Sequence, residues 1–344
     1  MIEWAPWVRL ASRYAFLRWL ERWGVSVASV ALGCLALFVF RRGLPHVGWI
    51  VGYLLLLCLS FAALVELRAS LEERGRHLIV GAGEYAIQTL YHGLSLFVLP
   101  GYYATVTLDS MNVVFLAPVA ATAIVTAVDP WYLRVVSPRP WLGHALFAFS
   151  IFAALNVALP LVGIRPILAL EGAAVLAVLA LTPVFRRHGA IAWRGALARA
   201  AALACLAALI AWFARGMVPP APIFLVRAVA ARGVQDHEPV DVIEGSVPAA
   251  TVAQWGQIAA YTAISAPGGL RQEILHVWRK NGAVIARISL SPVQGGRAQG
   301  FRTWSLRRDL RPPLAGRYTV DVVTASSQLV GRLRFRIKQG MIDR

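Results

Sequence analysis

Charged side chains are scarce in this sequence. Only 15% of its 344 residues are charged and 58% are apolar, with a mean hydropathy of +0.62. An ordinary soluble domain is about half apolar and about a quarter charged. The composition excludes a disordered chain and a wholly cytosolic enzyme, and it predicts a protein that lies partly in a membrane.

Cysteine is equally rare. Cys34, Cys58 and Cys205 all fall inside apolar runs, and no cysteine follows residue 205. This excludes a disulfide scaffold and any zinc-ligand spacing, and predicts small buried side chains. Phosphate-loop, zinc-protease and serine-hydrolase motifs are absent too. The sequence therefore favours a protein without catalytic residues, metal or cofactor.

Acidic residues are outnumbered, with 17 Asp and Glu against 34 Lys and Arg. A basic balance is typical of nucleic-acid binding. Half of these cations, however, flank long apolar runs, which is where membrane topology places them. We therefore expect no nucleic-acid partner and take the lipid bilayer as the first partner.

Seven stretches are apolar and long enough, some with their flanks, to cross a hydrocarbon core that needs about 20 residues. The predicted fold is an α-helical polytopic membrane domain over 24–216, preceded by a cytoplasmic juxtamembrane segment, 1–23, that is too long for the start of a signal peptide. The predicted spans are 24–40, 47–65, 86–103, 111–127, 142–161, 166–185 and 197–213.

The loops between these spans differ sharply in charge. One set carries 12 arginines and the other set carries three. Because cytoplasmic loops hold the excess of Lys and Arg, the N-terminus is predicted to lie in the cytoplasm. An odd number of spans then places residues 217–344 in the periplasm of a bacterium, with the protein in the inner membrane.

Five polar residues lie in or beside the apolar spans. Glu84, Gln88 and His92 are spaced by four residues, so a helix places them on one face. Asn156 and Glu171 fall in two later spans. Such groups relay protons, hold a metal or hold a polar headgroup. Alternatively, they form a hydrogen-bonded seam between helices, and both interpretations stay open.

After a proline-containing linker, 217–222, apolar residues recur at every second position. Short strands separated by turn signals are typical of an antiparallel β-sandwich, and an immunoglobulin-like sandwich is predicted over 223–344, without the disulfide of antibody domains. The predicted strands are 223–230, 255–264, 274–280, 283–290, 300–306, 316–323 and 328–338.

The last predicted strand alternates apolar residues with cations. Arg332, Arg334, Arg336 and Lys338 share one face, and the apolar residues share the other. A row of cations suits an anionic lipid or an acidic glycan. Charged residues on a strand also prevent edge-to-edge pairing and then need no ligand.

The dipeptide Asn281-Gly282 is the strongest short hairpin signal in the chain. A two-residue loop there places His276, Trp278 and Arg287 on one face, which suits a sugar ring or an anion. The same face also suits packing under a covering loop. The predicted cross-strand pairs are Lys280 with Ala283, Trp278 with Ile285 and His276 with Arg287.

Three runs in this half carry a resemblance: residues 276–282 (HVWRKNG), 302–305 (RTWS) and 316–322 (GRYTVDV). The last 110 residues or so resemble a bacterial domain of unknown function that ends uncharacterised multi-span inner-membrane proteins. The resemblance implies an exported β-sandwich joined to a helical anchor. It carries over no catalytic residue.

Three hypotheses of function follow. The leading one is a non-enzymatic inner-membrane protein whose periplasmic domain binds a membrane protein, an anionic lipid or an envelope glycan. The alternative is a transporter, or an intramembrane enzyme acting on a lipid or lipid-linked sugar, built around the polar residues of the spans. The third is an assembly subunit of a larger membrane complex.

Overall fold

The computed structural model of the protein describes residues 47–186 and 190–339. The predicted segment 1–23 and the predicted span 24–40 lie outside these residues. The described helices before residue 215 are α1 (Val47–Glu73), α2 (His77–Thr105), α3 (Val113–Ala127), α4 (Asp129–Val135), α5 (Pro140–Leu161), α6 (Pro166–Leu179), α7 (Thr182–Phe185) and α8 (Trp193–Ala214).

Four stretches of the described helices are long and apolar enough to cross a membrane. They are Ile50–Glu73 in α1, α5, the stretch Pro166–Phe185 formed by α6 and α7, and α8. The helices α3 and α4 meet these conditions only as a pair, and the pair is bent by 107°. The described residues thus hold four or five candidate spans, and the predicted count of about seven is not supported.

Two predicted spans, 86–103 and 111–127, do not appear as single candidate spans. Residues 86–103 do form part of α2, but Gln88 and His92 reduce the apolar character of that helix. The helix α3 has only 15 residues and ends where Val128 becomes extended. Pro130 then lies in the first turn of α4, a position that proline favours.

The outer surface of the long helices is apolar. Leu55, Leu56 and Leu59 of α1 are 60%, 55% and 68% exposed, and α8 exposes a similar set that includes Leu206 and Ile210. So many exposed leucines would be unfavourable in water, whereas hydrocarbon accepts them. The helical half therefore has the surface of a membrane-embedded protein.

The chain divides into two compact units that do not follow the boundary between helices and strands. One unit holds the chain up to Pro100 together with Ala117–Ala154 and Ala173–Ala207. The other holds Gly101–Leu116, Leu155–Gly172 and Ala208–Arg344. The second unit thus contains two helix-connecting loops as well as all the strands.

The second half of the chain is almost entirely β-structure. Within the described residues, one sheet has the order β2-β1-β4-β9, a second has the order β3-β11-β10-β6-β7, and β5 pairs with β8. The strands are β1 (Phe224–Gln235), β2 (Glu238–Ile243), β3 (Ser246–Pro248), β4 (Ile258–Ser265), β5 (Arg271–Gln272), β6 (Ile274–Lys280), β7 (Ala283–Ser289), β8 (Val293–Gln294), β9 (Phe301–Arg307), β10 (Gly316–Thr324) and β11 (Leu329–Lys338), with one short helix, α9 (Ala249–Trp255).

Side chains from the two larger sheets meet in shared hydrophobic clusters. In one cluster Ala260 of β4 packs with Trp278 of β6 and Phe335 of β11. In the other, Ile264 of β4 packs with Val322 of β10. All seven predicted strands are present, and the sequence missed β2, β3, β5, β8 and α9, which are short or lack clean alternation.

The segment between α8 and β1 is packed rather than free. Val218, Ala221 and Ile223 are buried. The side-chain amide of Gln328 donates to the carbonyl of Val218 at 3.4 Å, and the guanidinium of Arg215 donates to the carbonyl of Ser326 at 3.0 Å. The predicted linker is therefore part of the unit that holds the strands.

Candidate functional site

Cations from four neighbouring strands point to the same side of the second sheet. Directly paired residues of antiparallel strands share a face. One such row across the sheet consists of Arg287, Val277, Asp321 and Arg332. The next row consists of Arg279, Thr319 and Arg334. Arg317 pairs with Arg336 in a further row, and Lys338 follows two residues later. We call this set the basic face: Arg279, Arg287, Arg317, Arg332, Arg334, Arg336 and Lys338.

Strand alternation creates this face. The residues of β11 that point inward, Leu333, Phe335 and Ile337, are buried in the core, so the residues between them must point away from it. The structure thus brings together five predicted candidates from two separate strands: Arg287, Arg332, Arg334, Arg336 and Lys338.

Two carboxylates neutralise one part of the basic face. Asp321 is almost completely buried and lies between Arg332, with which it makes a very short contact, and Arg279, whose Nε is 3.0 Å away. The hydrogen bond that Arg332 donates to Asp321 raises the pKa of Arg332, so that guanidinium stays charged. Asp109, in the loop between α2 and α3, contacts Arg334 and lies 3.2 Å from Arg332.

The remaining cations of the basic face are solvent-exposed. Arg287, Arg317, Arg336 and Lys338 are all exposed, and none of them forms an ion pair with a carboxylate of residues 47–186 or 190–339. Asp109 and Asp321 were missed by the sequence analysis. The signal for Asp321 was an acid within an alternating apolar strand, but nothing local linked Asp109 to β11.

The predicted pairing of the Asn281-Gly282 hairpin is correct only beside its turn. Asn281 and Gly282 have φ values of 48° and 90°, as a type I′ turn requires, and Lys280 pairs with Ala283. One extra residue, Ile285, then bulges out of β7. As a result Trp278 pairs with Ala286 and His276 pairs with Ile288, contrary to the prediction.

His276 and Trp278 face the core rather than the surface, and the bulge in β7 places Arg287 on the other side of the sheet. Both side chains are fully buried, while Arg287 is exposed on the opposite side of the sheet. A bulge of one residue exchanges the faces of a strand. The structure therefore does not bring Arg287 together with the ring residues of the predicted binding face.

His276 belongs to a chain of buried hydrogen bonds. The Trp278 indole donates to the Ser305 hydroxyl at 2.9 Å, and Ser305 lies 2.8 Å from Nδ1 of His276. Nε2 of His276 lies 3.2 Å from the Thr262 hydroxyl, which donates to the carbonyl of Thr303. Every group is satisfied if Ser305 donates to Nδ1 of His276 and the imidazole carries its proton on Nε2, which then donates to Thr262. Burial lowers the pKa of His276 to about 3, so the ring is neutral.

The polar stripe of α2 is directed at its neighbouring helices. The Gln88 amide donates to the carbonyl of Thr126 at 3.0 Å and to Asp129 at 2.7 Å. Nδ1 of His92 lies 3.4 Å from the carbonyl of Ala123. Glu84 pairs with Arg68 of α1 at 3.0 Å. These contacts favour the hydrogen-bonded seam for Gln88 and His92, and leave Glu84 partly exposed.

The other two intramembrane candidates, Asn156 and Glu171, belong to the second unit. The Asn156 amide donates to the hydroxyl of Tyr102 at 3.1 Å, and both residues are buried. Glu171 is half-buried on α6. Among the described residues there is no group of three or more His, Cys, Asp or Glu side chains placed to hold a metal ion.

Two family models match this chain, and the boundary between the two matches lies inside the β region. The model of a family of unknown function, DUF5924, matches residues 5–259, which is most of the sequence. The chain belongs to the DUF5924 family. Residues 271–337 match a second model, a protein of unknown function, DUF2914. No curated protein matches this sequence.

The two matched segments of this DUF5924 protein share both larger sheets, and in the second sheet β3 of the first segment pairs with β11. The first segment includes β1 and β2, and β9 lies in the second segment. The strand β4, which begins at the end of the first segment, pairs with both β1 and β9. The β region is therefore assembled from residues of both matches.

Proposed function

We propose that this protein is a membrane-anchored, non-enzymatic binding protein that holds an acidic envelope polymer on its basic face. The observation that carries the proposal is the gathering of seven cations on one sheet face, where Asp321 and Asp109 are the only carboxylates of residues 47–186 and 190–339 that form ion pairs with them. Five of the seven are exposed to solvent, and four of these, Arg287, Arg317, Arg336 and Lys338, form no ion pair with a carboxylate of the described residues. A cationic surface of this kind attracts polyanions over several ångströms.

The topology assigned to this function is a cytoplasmic N-terminus and a periplasmic β domain in a bacterial inner membrane. The 12-to-3 distribution of loop arginines supports it. The loop that carries Asp109 belongs to the arginine-poor set and contacts Arg334 of β11 within one unit. That loop and the β domain therefore belong on the same side of the membrane.

An immunoglobulin-like architecture for the β domain is part of the proposal. The strand order β1-β4-β9 corresponds to the A-B-E order of an immunoglobulin sheet, and β11-β10-β6-β7 corresponds to G-F-C-C′. In such domains one sheet face stays open to solvent. Here that open face is the basic face.

An extended polymer fits the free cations better than a lipid headgroup does. Asp109 of the helix-connecting loop forms ion pairs with Arg332 and Arg334, and in the proposed topology this loop lies at the membrane surface. Arg336 and Lys338 follow Arg334 along β11. Lys338 lies about 13 Å further along the strand than Arg334. On β11, the two cations closest to that surface, Arg332 and Arg334, are already paired with Asp109 and Asp321.

Binding of full-length protein in detergent to an acidic polysaccharide tests this function. Polygalacturonate serves as the probe, neutral dextran as its control, and phosphatidylglycerol vesicles as the lipid arm. The double variant R336Q/K338Q should bind polygalacturonate less tightly by about two- to fivefold per cation at low salt, and the difference should shrink as salt is added.

The double variant R308Q/R311Q removes two arginines from the exposed loop after β9 and is the matched control. Equal losses in both double variants would show that net charge alone is responsible and would refute a site on the basic face. Binding to vesicles but not to polygalacturonate would replace the polymer with a lipid.

A further inference from the structure

A cavity of about 440 Å³ lies among the helices of the first unit. Its walls come from α1, α2, the turn between α4 and α5, the start of α5, and α7. This volume is in the range of sites that bind small molecules, about 300–1,000 Å³. Most of the wall is apolar, and the side chains that matter here are Phe61, Leu64, Ile87 and Val136.

Two arginines and one carboxylate line the same cavity. Arg68 forms ion pairs with Glu84 at 3.0 Å and with Glu72 at 2.8 Å, and half of its side chain is exposed. Arg139 is exposed and donates to the carbonyl of Val135 at 2.7 Å. Arg68 is thus neutralised by carboxylates, whereas Arg139 forms no ion pair with a carboxylate of the described residues, so its positive charge remains available in the cavity.

The cavity lies at the ends of the helices, not at their centres. Arg68 is in the last part of α1, Glu84 is near the start of α2, and Arg139 precedes α5. The adjacent connections carry Arg74, Arg76, Arg134 and Arg186, which belong to the arginine-rich set of loops. Apolar walls next to cations at this level match the boundary between acyl chains and headgroups.

We propose that this cavity binds one phospholipid with an anionic headgroup. The phosphate lies between Arg68 and Arg139, and the upper part of an acyl chain lies against Leu64 and Ile87. Basic pockets between helices on the arginine-rich side of a membrane are suited to anionic headgroups. The site is separate from the basic face and does not depend on the proposed function.

Native mass spectrometry of the full-length protein in detergent tests this site. Phosphatidylglycerol and phosphatidylcholine with the same acyl chains are the probes, and one phosphatidylglycerol should be retained preferentially. The double variant R68Q/R139Q should lower its retention by roughly 25-fold, since each cation near an anionic lipid contributes about fivefold. The double variant R74Q/R76Q, on a nearby turn, is the charge control.

Gly143 offers a second variant that changes no charge. It lines the cavity, and a Cβ built there meets nothing within 4 Å, so we expect the side chain of G143L to occupy part of the cavity. Gly81 of α2 is equally open and does not line the cavity, so G81L is its control. Lipid retention should fall in G143L and persist in G81L.

Crosslinking of the unaltered protein covers the case in which a variant fails to fold. Phosphatidylglycerol with a diazirine in its acyl chain should label peptides that contain Leu64 or Val136. Labelling confined to the outward faces of α1 and α8 would overturn the proposal. Equal retention of the two lipids, or equal losses in variants and controls, would overturn it as well.

Discussion

Acid should destabilise the β domain through a single buried imidazole. The pKa of His276 is about 3 in the folded protein, against 6.5 for the ordinary group, because the ring is fully buried. Between these two values the unfolded chain binds more protons than the folded chain. The stability contributed by the neutral ring is therefore complete above pH 6.5 and is lost as the pH falls toward 3.

The size of the effect follows from the shift. At pH 5 the medium is 1.5 pH units below the pKa of the unfolded group, and each unit is worth about 1.36 kcal/mol. The loss is therefore about 2 kcal/mol, which corresponds to roughly 4–10 °C in the Tm of a domain of this size. The neighbours of the ring, Thr262, Ser305 and Trp278, do not titrate in this range.

Thermal unfolding of the full-length protein in detergent, followed from pH 7 to pH 5, measures this loss. The variant H276Q keeps a donor and an acceptor but cannot be protonated, so its Tm should fall much less over the same range. H237Q removes an exposed histidine of the same domain and should behave like the unaltered protein. Parallel pH profiles for H276Q and the unaltered protein would refute the reasoning.

Two carboxylates of the basic face should differ sharply in their effects. Asp321→Asn leaves Arg332 without its buried partner and should cost about 3–5 kcal/mol in urea unfolding, since breaking a buried pair is expensive. A cost below 1 kcal/mol would contradict that assignment. Asp109→Asn acts on a half-exposed pair and should cost no more than about 1 kcal/mol. By releasing Arg334 it should tighten binding to polygalacturonate by about two- to fivefold, and weaker binding would count against a polyanion site.

The local signals of the β region were sufficient to predict its main strands. The predicted limits of β6 are the observed ones, and the Asn281-Gly282 turn has the expected positive φ values. The prediction placed His276 on the wrong side of the sheet. It assumed an unbroken pairing from the turn, and the bulged residue Ile285 shifts that pairing by one residue. Bulges depend on how a strand bends against its neighbours, and the alternation of β7 alone does not reveal them.

Contacts between distant parts of the chain were not predictable. Asp109 and Arg334 are more than 200 residues apart and meet only because a helix-connecting loop and β11 belong to one unit. The predicted span 86–103 lies in α2, which is not among the candidate spans of the described residues, and its Gln88 and His92 contact neighbouring helices. Local periodicity identified the helix and its polar face but not the partners of that face.

The first sheet, β2-β1-β4-β9, draws strands from both matched segments. This limits how the β domain can be transferred from one protein to another by recombination. A gene fragment that began near residue 271 would deliver β9 without β4, whose backbone groups pair with it along its whole length. A host protein would have to supply a replacement strand, or β9 would remain an open edge prone to aggregation. A transferable cassette therefore has to start before β1, at the buried residues that follow α8.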